Sequence, residues 1–268
     1  MSENIKNILK IDQSQASILR LVLDDPSNKN ALSKDMMNQL KKLLLKASSD
    51  NSIKVIIIAA VGDVFCSGHN LKDITEARKN EDEGRAYILD LFNLCSSLMQ
   101  MIVNFPKPVI AEIDGIATAA GCQLVASCDL AIASNSSKFA TPGVNIGLFC
   151  STPMVALSRN VSKKDAMKML LTGDMIDAAE AKRISLINDH VPVESLHVDT
   201  MALANQISTK SLATIKVGKE AFYKQNEMTL SDAYNYTSHL MTENSLADDA
   251  KEGIASFLEK RQPFWKDD

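Results

Sequence analysis

GIATAAGCQLVASCDLAIAS, running from Gly115 to Ser134, strings small residues together and sets one amide, Gln123, in their midst. Ala117, Ala119, Ala120 and Gly121 project almost nothing, so a ligand or a second stretch of chain can approach the backbone closely there. The stretch follows KPVIAEIDG (Lys107–Gly115), a strand opened by Pro108. Further upstream, IKVIIIAAV (Ile53–Val61) shows no polar alternation and reads as a strand buried on both faces. A loop with its own glycine and small residues, GDVFCSGHN (Gly62–Asn70), follows it directly. Two loops of the same kind, each after a buried strand and each before a helix, are thus the repeated feature.

Outward from this centre, ILKID and ASILRLVLDD flank the polar QSQ and predict a hairpin. Ser33 predicts the cap of a helix whose stripe is Met36, Met37, Leu40, Leu43, Leu44 and Ala47. A second amphipathic helix carries Ile88, Leu91, Phe92, Cys95, Leu98, Met99 and Ile102. Beyond residue 150, Thr152 with Pro153, Ser162 with Gly173, and Asp177 with Glu180 read as helix boundaries. From Glu194 onward the pattern is helical with hardly any strand signal. Strand, loop and helix alternate in the first half, as in a layered α/β fold. The division expected is a core over 1–200 and a helical region over 201–268.

Composition bounds the function. The 268 residues carry a formal net charge of −4, with 46% hydrophobic and 23% charged residues, an ordinary globular balance. Such a charge, without runs of Lys and Arg interleaved with aromatics, argues against nucleic acid as a partner. The longest strongly apolar run is strand-sized, so no membrane partner is expected. The opening MSENIKNILK shows neither a secretory nor an Arg-rich leader pattern. Five cysteines without a CxxC motif point to reduced thiols and a cytoplasmic setting. The four histidines show no ligand spacing, and no metal or bound cofactor is expected.

The free N–H groups of two helix starts, if they faced one another, would form an oxyanion hole with His69 and Ala120 as donors. The plainer reading is that the small residues only let a helix pack close to a sheet.

The motifs also carry a resemblance. VFCSGHNLKDI, IDGIATAAGCQLVASCDLAIAS, FATPGVNIGL, GDMIDAAEAKRISLINDHVP and KEGIASFLEKRQPFW resemble, in order and over nearly the whole chain, segments of the crotonase (enoyl-CoA hydratase/isomerase) superfamily. The resemblance implies an α/β fold, a spiral of β-β-α units with a C-terminal helical trimerisation region, assembled as a homotrimer or homohexamer. It implies an acyl-CoA thioester as substrate, with an enolate stabilised by the N–H groups of His69 and Ala120. Lys72 matches a residue near the CoA phosphates, and Phe257 and Lys260 match contacts from a neighbouring subunit. For Lys72 and Lys260 the plain alternative is a solvated charge, and for Phe257 a core residue.

Two departures matter. Hydratases of the family hold two carboxylates around one water, as proton transfer requires. Their positions are occupied here by Gln123 and Gly143, neither of which exchanges a proton at neutral pH. Weak or absent hydratase activity is therefore expected. Cys150 falls where other branches place Tyr or Asp, and the SGHN loop resembles the AGHD of decarboxylase-type members. His69, Gln123 and Cys150 remain candidates for catalysis, with burial as the plain alternative for Cys150. Either an acyl-CoA enzyme, including a decarboxylase, or a non-catalytic acyl-CoA-binding protein fits. A mitochondrial matrix setting fits if a leader has been removed.

Overall fold

The computed structural model describes residues 8–267; most of the opening stretch read for a leader lies outside them. The hairpin predicted around QSQ is present as β1 (Leu9–Gln15) and β2 (Ile18–Leu23), paired antiparallel. After it, Ser33 caps α1 (Lys34–Ser48), its hydroxyl accepting the Met36 N–H at 3.2 Å. Met36, Met37, Leu40, Leu44 and Ala47 of the expected stripe are buried.

The centre of the molecule repeats one unit three times: a strand of a large sheet, a strand or bridge of a small sheet, then helix. The first turn is β3 (Val55–Ala60), a single parallel bridge between Cys66 and Ala117, then α2 (Leu71–Ala77) and α3 (Arg85–Val103). The second is β4 (Val109–Ile113), β5 (Ile116–Thr118) and α4 (Ala120–Ser127). The third is β6 (Leu130–Ser134), β7 (Lys138–Ala140), then α5 (Ser151–Asn160) and α6 (Lys163–Thr172). β8 (Ile176–Asp177), α7 (Ala178–Arg183) and β9 (Asp189–Val191) close the spiral. The large sheet has the order β1-β2-β3-β4-β6-β9, parallel beyond the hairpin; the small one has the order β5-β7-β8.

Continuous apolarity in VIIIAA has the cause expected of it. Ile56 and Ile58 pack into the main core with α1 and α3, while Val55 and Ile57 face a second cluster with Ile18, Ile110 and Ala204. That second face is covered by α8 (Val193–Ser208), whose Leu196, Thr200 and Ala204 are buried. The boundary drawn at 200/201 thus runs through a helix that completes the core.

Other boundaries follow the caps. Ser162 opens α6, Gly173 closes it at φ +67°, and the Asp177 carboxylate accepts the Glu180 N–H at 2.8 Å. α5 differs from expectation. Its cap is Cys150, with Thr152 and Pro153 inside the first turn, where proline displaces no hydrogen bond because the first four N–H groups lack intrahelical partners. α3 has the length and mean hydropathy (1.4) of a membrane span, which no contiguous run in the sequence suggested. Its Leu91, Cys95, Leu98, Met99 and Ile102 are packed in the protein core.

Three more helices follow: α9 (Leu212–Gln225), α10 (Leu230–Leu246) and α11 (Asp248–Glu259). Asp129, just past α4, anchors α9. It accepts from Lys219 Nζ at 2.6 Å, the Tyr223 hydroxyl at 2.9 Å and the Val109 N–H at 2.7 Å. Burial raises the Asp129 carboxyl above its ordinary range and lowers the Lys219 ammonium, and their attraction opposes both shifts. Tyr234, Met241, Leu246, Phe257 and Leu258 remain exposed on α10 and α11.

Candidate active site

The loop at Cys66 and β5, the strand that leads into α4, are laced together by main-chain bonds. Cys66 N–H donates to Ile116 O at 3.1 Å, and Thr118 N–H donates back to Cys66 O at 2.9 Å. Two glycines permit the approach. A Cβ on Gly121 would fall 2.1 Å from the Cys66 carbonyl oxygen, and one on Gly68 (φ +90°) would fall 3.1 Å from Ala120 N. At Gly121, then, the plainer packing reading of the small residues is the right one.

Ala119 differs from both glycines. It holds φ +50°, ψ −118° at the cap of α4, a region L-residues rarely occupy. Strain of this kind persists only where the surroundings enforce it. Here the Ala119 N–H is held by Ala140 O at 2.9 Å, and Ala119 O accepts from Gln123 N–H at 3.0 Å. The result is a helix whose first residue, Ala120, turns its N–H toward the neighbouring loop. Among the described residues neither the His69 N–H nor the Ala120 N–H donates to a backbone carbonyl.

Both residues line a cavity of about 760 Å³ between the two loops, the Pro142–Ile146 turn and α5. His69, Ala120, Cys150 and Lys72 meet there. Gln123 does not line it. Its side chain is buried, with Oε1 3.9 Å from the Cys95 thiol of α3. Phe257 and Lys260, at the exposed end of α11, do not line it within this chain either.

Sequence reasoning assigned no role here to Phe92, Ile146, Leu148, Phe149 and Lys29, all of which line the cavity. Phe92 lay in a helical stripe indistinguishable from core. The half-exposed Leu148 and Phe149 sit in a turn whose direction only the fold sets. Among the described residues no Asp or Glu lines the cavity; its charged residues are Lys29 and Lys72.

Titration follows from burial. His69 Nδ1 lies 3.0 Å from Leu32 O, its ring stands edge-on to Phe92 with centroids 5.3 Å apart, and burial lowers its proton affinity. The Cys150 thiol is pushed up by burial and so stays protonated at neutral pH. Cys66, Cys95 and Cys122 are pushed up to about 12 by the same cause. Gly143 has no positive φ, but a Cβ there would lie 2.7 Å from Leu148 O and 2.9 Å from Cys150 Sγ. Cys150 thus fills the space into which a second acid would project.

A spiral of β-β-α turns carrying a cavity of about 760 Å³ is a crotonase-type α/β fold. The chain belongs to the enoyl-CoA hydratase/isomerase family, whose sequence model matches residues 13–268. It is 48% identical over 248 residues to the human enoyl-CoA hydratase domain-containing protein 3, mitochondrial, covering 92% of this chain and 80% of that one. Its Xenopus laevis counterpart is 47% identical, over 96% of this chain and 86% of that protein. The crystal structure of the human protein superposes with a TM-score of 0.91 at 46% identity, covering 96% of this chain and 100% of the other. A Mycobacterium smegmatis enoyl-CoA hydratase structure does so at 41% identity, TM-score 0.91, covering 96% and 98%. The names of the vertebrate relatives say mitochondrial, so they do not support the cytoplasmic expectation.

Proposed function

We propose that this protein binds an acyl-CoA thioester with its carbonyl oxygen between the His69 and Ala120 N–H groups, stabilises the enolate, and hydrates enoyl thioesters very poorly. The carrying observation is the cavity itself: His69 and Ala120, whose N–H groups donate to no backbone carbonyl among the described residues, line it together with mainly apolar side chains and two lysines, and no described carboxylate lines it. Donors held in place before reaction stabilise a developing oxyanion without reorganising. Hydration further needs groups that take and return a proton near neutrality, and amide, glycine and a protonated thiol do not meet that need. Loss of carbon dioxide would generate the enolate without a protein base, but the neutral His69 ring gives a substrate's extra carboxylate no donor, so a decarboxylase is disfavoured. Binding without turnover is the second reading, favoured by the same missing carboxylates.

Lys72 reaches the CoA phosphates in this proposal, and Phe257 and Lys260 serve the site of a neighbouring subunit in a homotrimer or homohexamer. The exposed apolar residues of α10 and α11 support that assembly. A mitochondrial setting, as in the names of the relatives, replaces the cytoplasmic one. No bound cofactor is needed. Mass spectrometry of acetyl-, crotonyl-, malonyl- and methylmalonyl-CoA incubated with the protein, alongside calorimetry with acetyl-CoA, tests the reading. Saturable binding weakened by Lys260→Ala is expected. Binding of no CoA ester would overturn it.

A further inference from the structure

Within the proposed acyl-CoA site, one polar atom has no role yet. Among the described residues the His69 ring has one hydrogen-bonding partner, the Leu32 carbonyl, 3.0 Å from Nδ1. A carbonyl oxygen can only accept, so Nδ1 carries the ring proton and Nε2 of the neutral ring is left with a lone pair. The Leu32 N–H donates to Gly68 O at 2.8 Å, so the two strands of chain grip each other beside the ring and hold it in place. Nε2 is buried and has no hydrogen-bond partner among the described residues. Buried polar atoms are nearly always paired, and an exception calls for a partner from outside the chain.

We propose that His69 Nε2 is a specificity-determining acceptor, selecting acyl thioesters that present a hydrogen-bond donor, such as a chain hydroxyl, over those that present a second carboxylate. This rests on the acyl-CoA reading of the site. A carboxylate meets a lone pair with a lone pair and repels it. A hydroxyl fills the vacant position. Burial opposes the protonated ring that would reverse this preference. Phe92, packed edge-on against the imidazole, is half-buried and lines the same cavity as His69, which sets the ring beside the space an acyl chain would take.

Calorimetry on the full chain with butyryl-, 3-hydroxybutyryl- and malonyl-CoA tests this. The hydroxylated ester should bind about tenfold more tightly than butyryl-CoA, and malonyl-CoA more weakly than either. His69→Phe keeps the backbone N–H and should bring the ratio of hydroxybutyryl- to butyryl-CoA affinity to about one, whatever it does to butyryl-CoA affinity itself. Nitrogen-15 NMR of the wild-type imidazole supplies a readout that does not depend on any variant folding. A protonated Nδ1 and bare Nε2 support the proposal, and the opposite tautomer overturns it. Equal affinity for the hydroxylated and plain esters, or preference for malonyl-CoA, overturns it too while leaving the acyl-CoA reading intact. Failure of every ester to bind overturns both.

Discussion

Gly143→Ala should destabilise the protein, and the loss should be partly recovered by removing the Cys150 sulfur. The new methyl would sit 2.7 Å from Leu148 O and 2.9 Å from Cys150 Sγ, both closer than carbon normally approaches. The Leu148 carbonyl is backbone, and its turn is tied down by the Leu148 N–H bond to Gly143 O at 2.9 Å. Relief therefore comes from displacing that turn or the thiol. Overpacking of this kind costs about 1–3 kcal/mol. For a chain this long, each kcal/mol lowers Tm by about 2–4 °C, so a fall of roughly 2–12 °C is expected. Cys150→Ala removes one of the two clashes. The double mutant should then be more stable than the sum of the singles by about 1 kcal/mol, while the Leu148 contact persists. Thermal and urea unfolding at matched protein concentration measure all four corners of the cycle. An unchanged Tm for Gly143→Ala, or strict additivity, would refute the claim that Cys150 occupies the space of the second acid.

Wild-type hydration of crotonyl-CoA should fall short of an ordinary hydratase by about 10⁴-fold or more, because two groups each worth about 10²- to 10⁴-fold are absent. Gln123→Glu should recover little, because the side chain at 123 packs against Cys95 and does not line the cavity, whereas ordinary wild-type turnover would sink the argument. Stability should also depend on His69. Its folded-state pKa lies below the ordinary 6.5, so the unfolded chain takes up the proton first as pH falls. The contribution of the neutral ring is whole above 6.5 and is lost as pH falls through the folded pKa. His69→Phe should flatten that limb of the urea-unfolding profile, and an unaltered slope would exclude burial of a neutral ring. Lys219→Met should cost about 3–5 kcal/mol by leaving Asp129 buried without its cation, and Asp129→Asn in the same chain should recover part of it. Additive losses would show that the pair is not coupled.

Local chemistry made much of the architecture legible. Caps at Ser33, Ser162 and Asp177, the stop at Gly173, and the two-faced burial of VIIIAA are decided within a few residues of each position, so the chain states them directly. Gln123 and Gly143 are legible in the same way, since an amide and a glycine lack a group that titrates near neutral pH wherever they are placed. The wall of the site was not legible. Phe92 sits in the same helical period as Leu91 and Cys95, and only the curvature of the spiral decides that it meets the cavity while they meet the core. Gln123 likewise turned toward Cys95 and away from the cavity, a choice made by the packing of α3 on α4.

Amino-acid sequence alone determined that the chain would alternate strand, loop and helix, that two glycine-bearing loops would precede helices, and that an amide and a glycine would stand at 123 and 143. Those are properties of residue type and spacing. Tertiary structure alone decided that Cys150 fills the space beside Gly143, that Ala119 is held in a strained turn, and that Leu32 sets the tautomer of His69. Each of these depends on atoms brought within a few ångströms from distant parts of the chain, and no periodicity records such contacts.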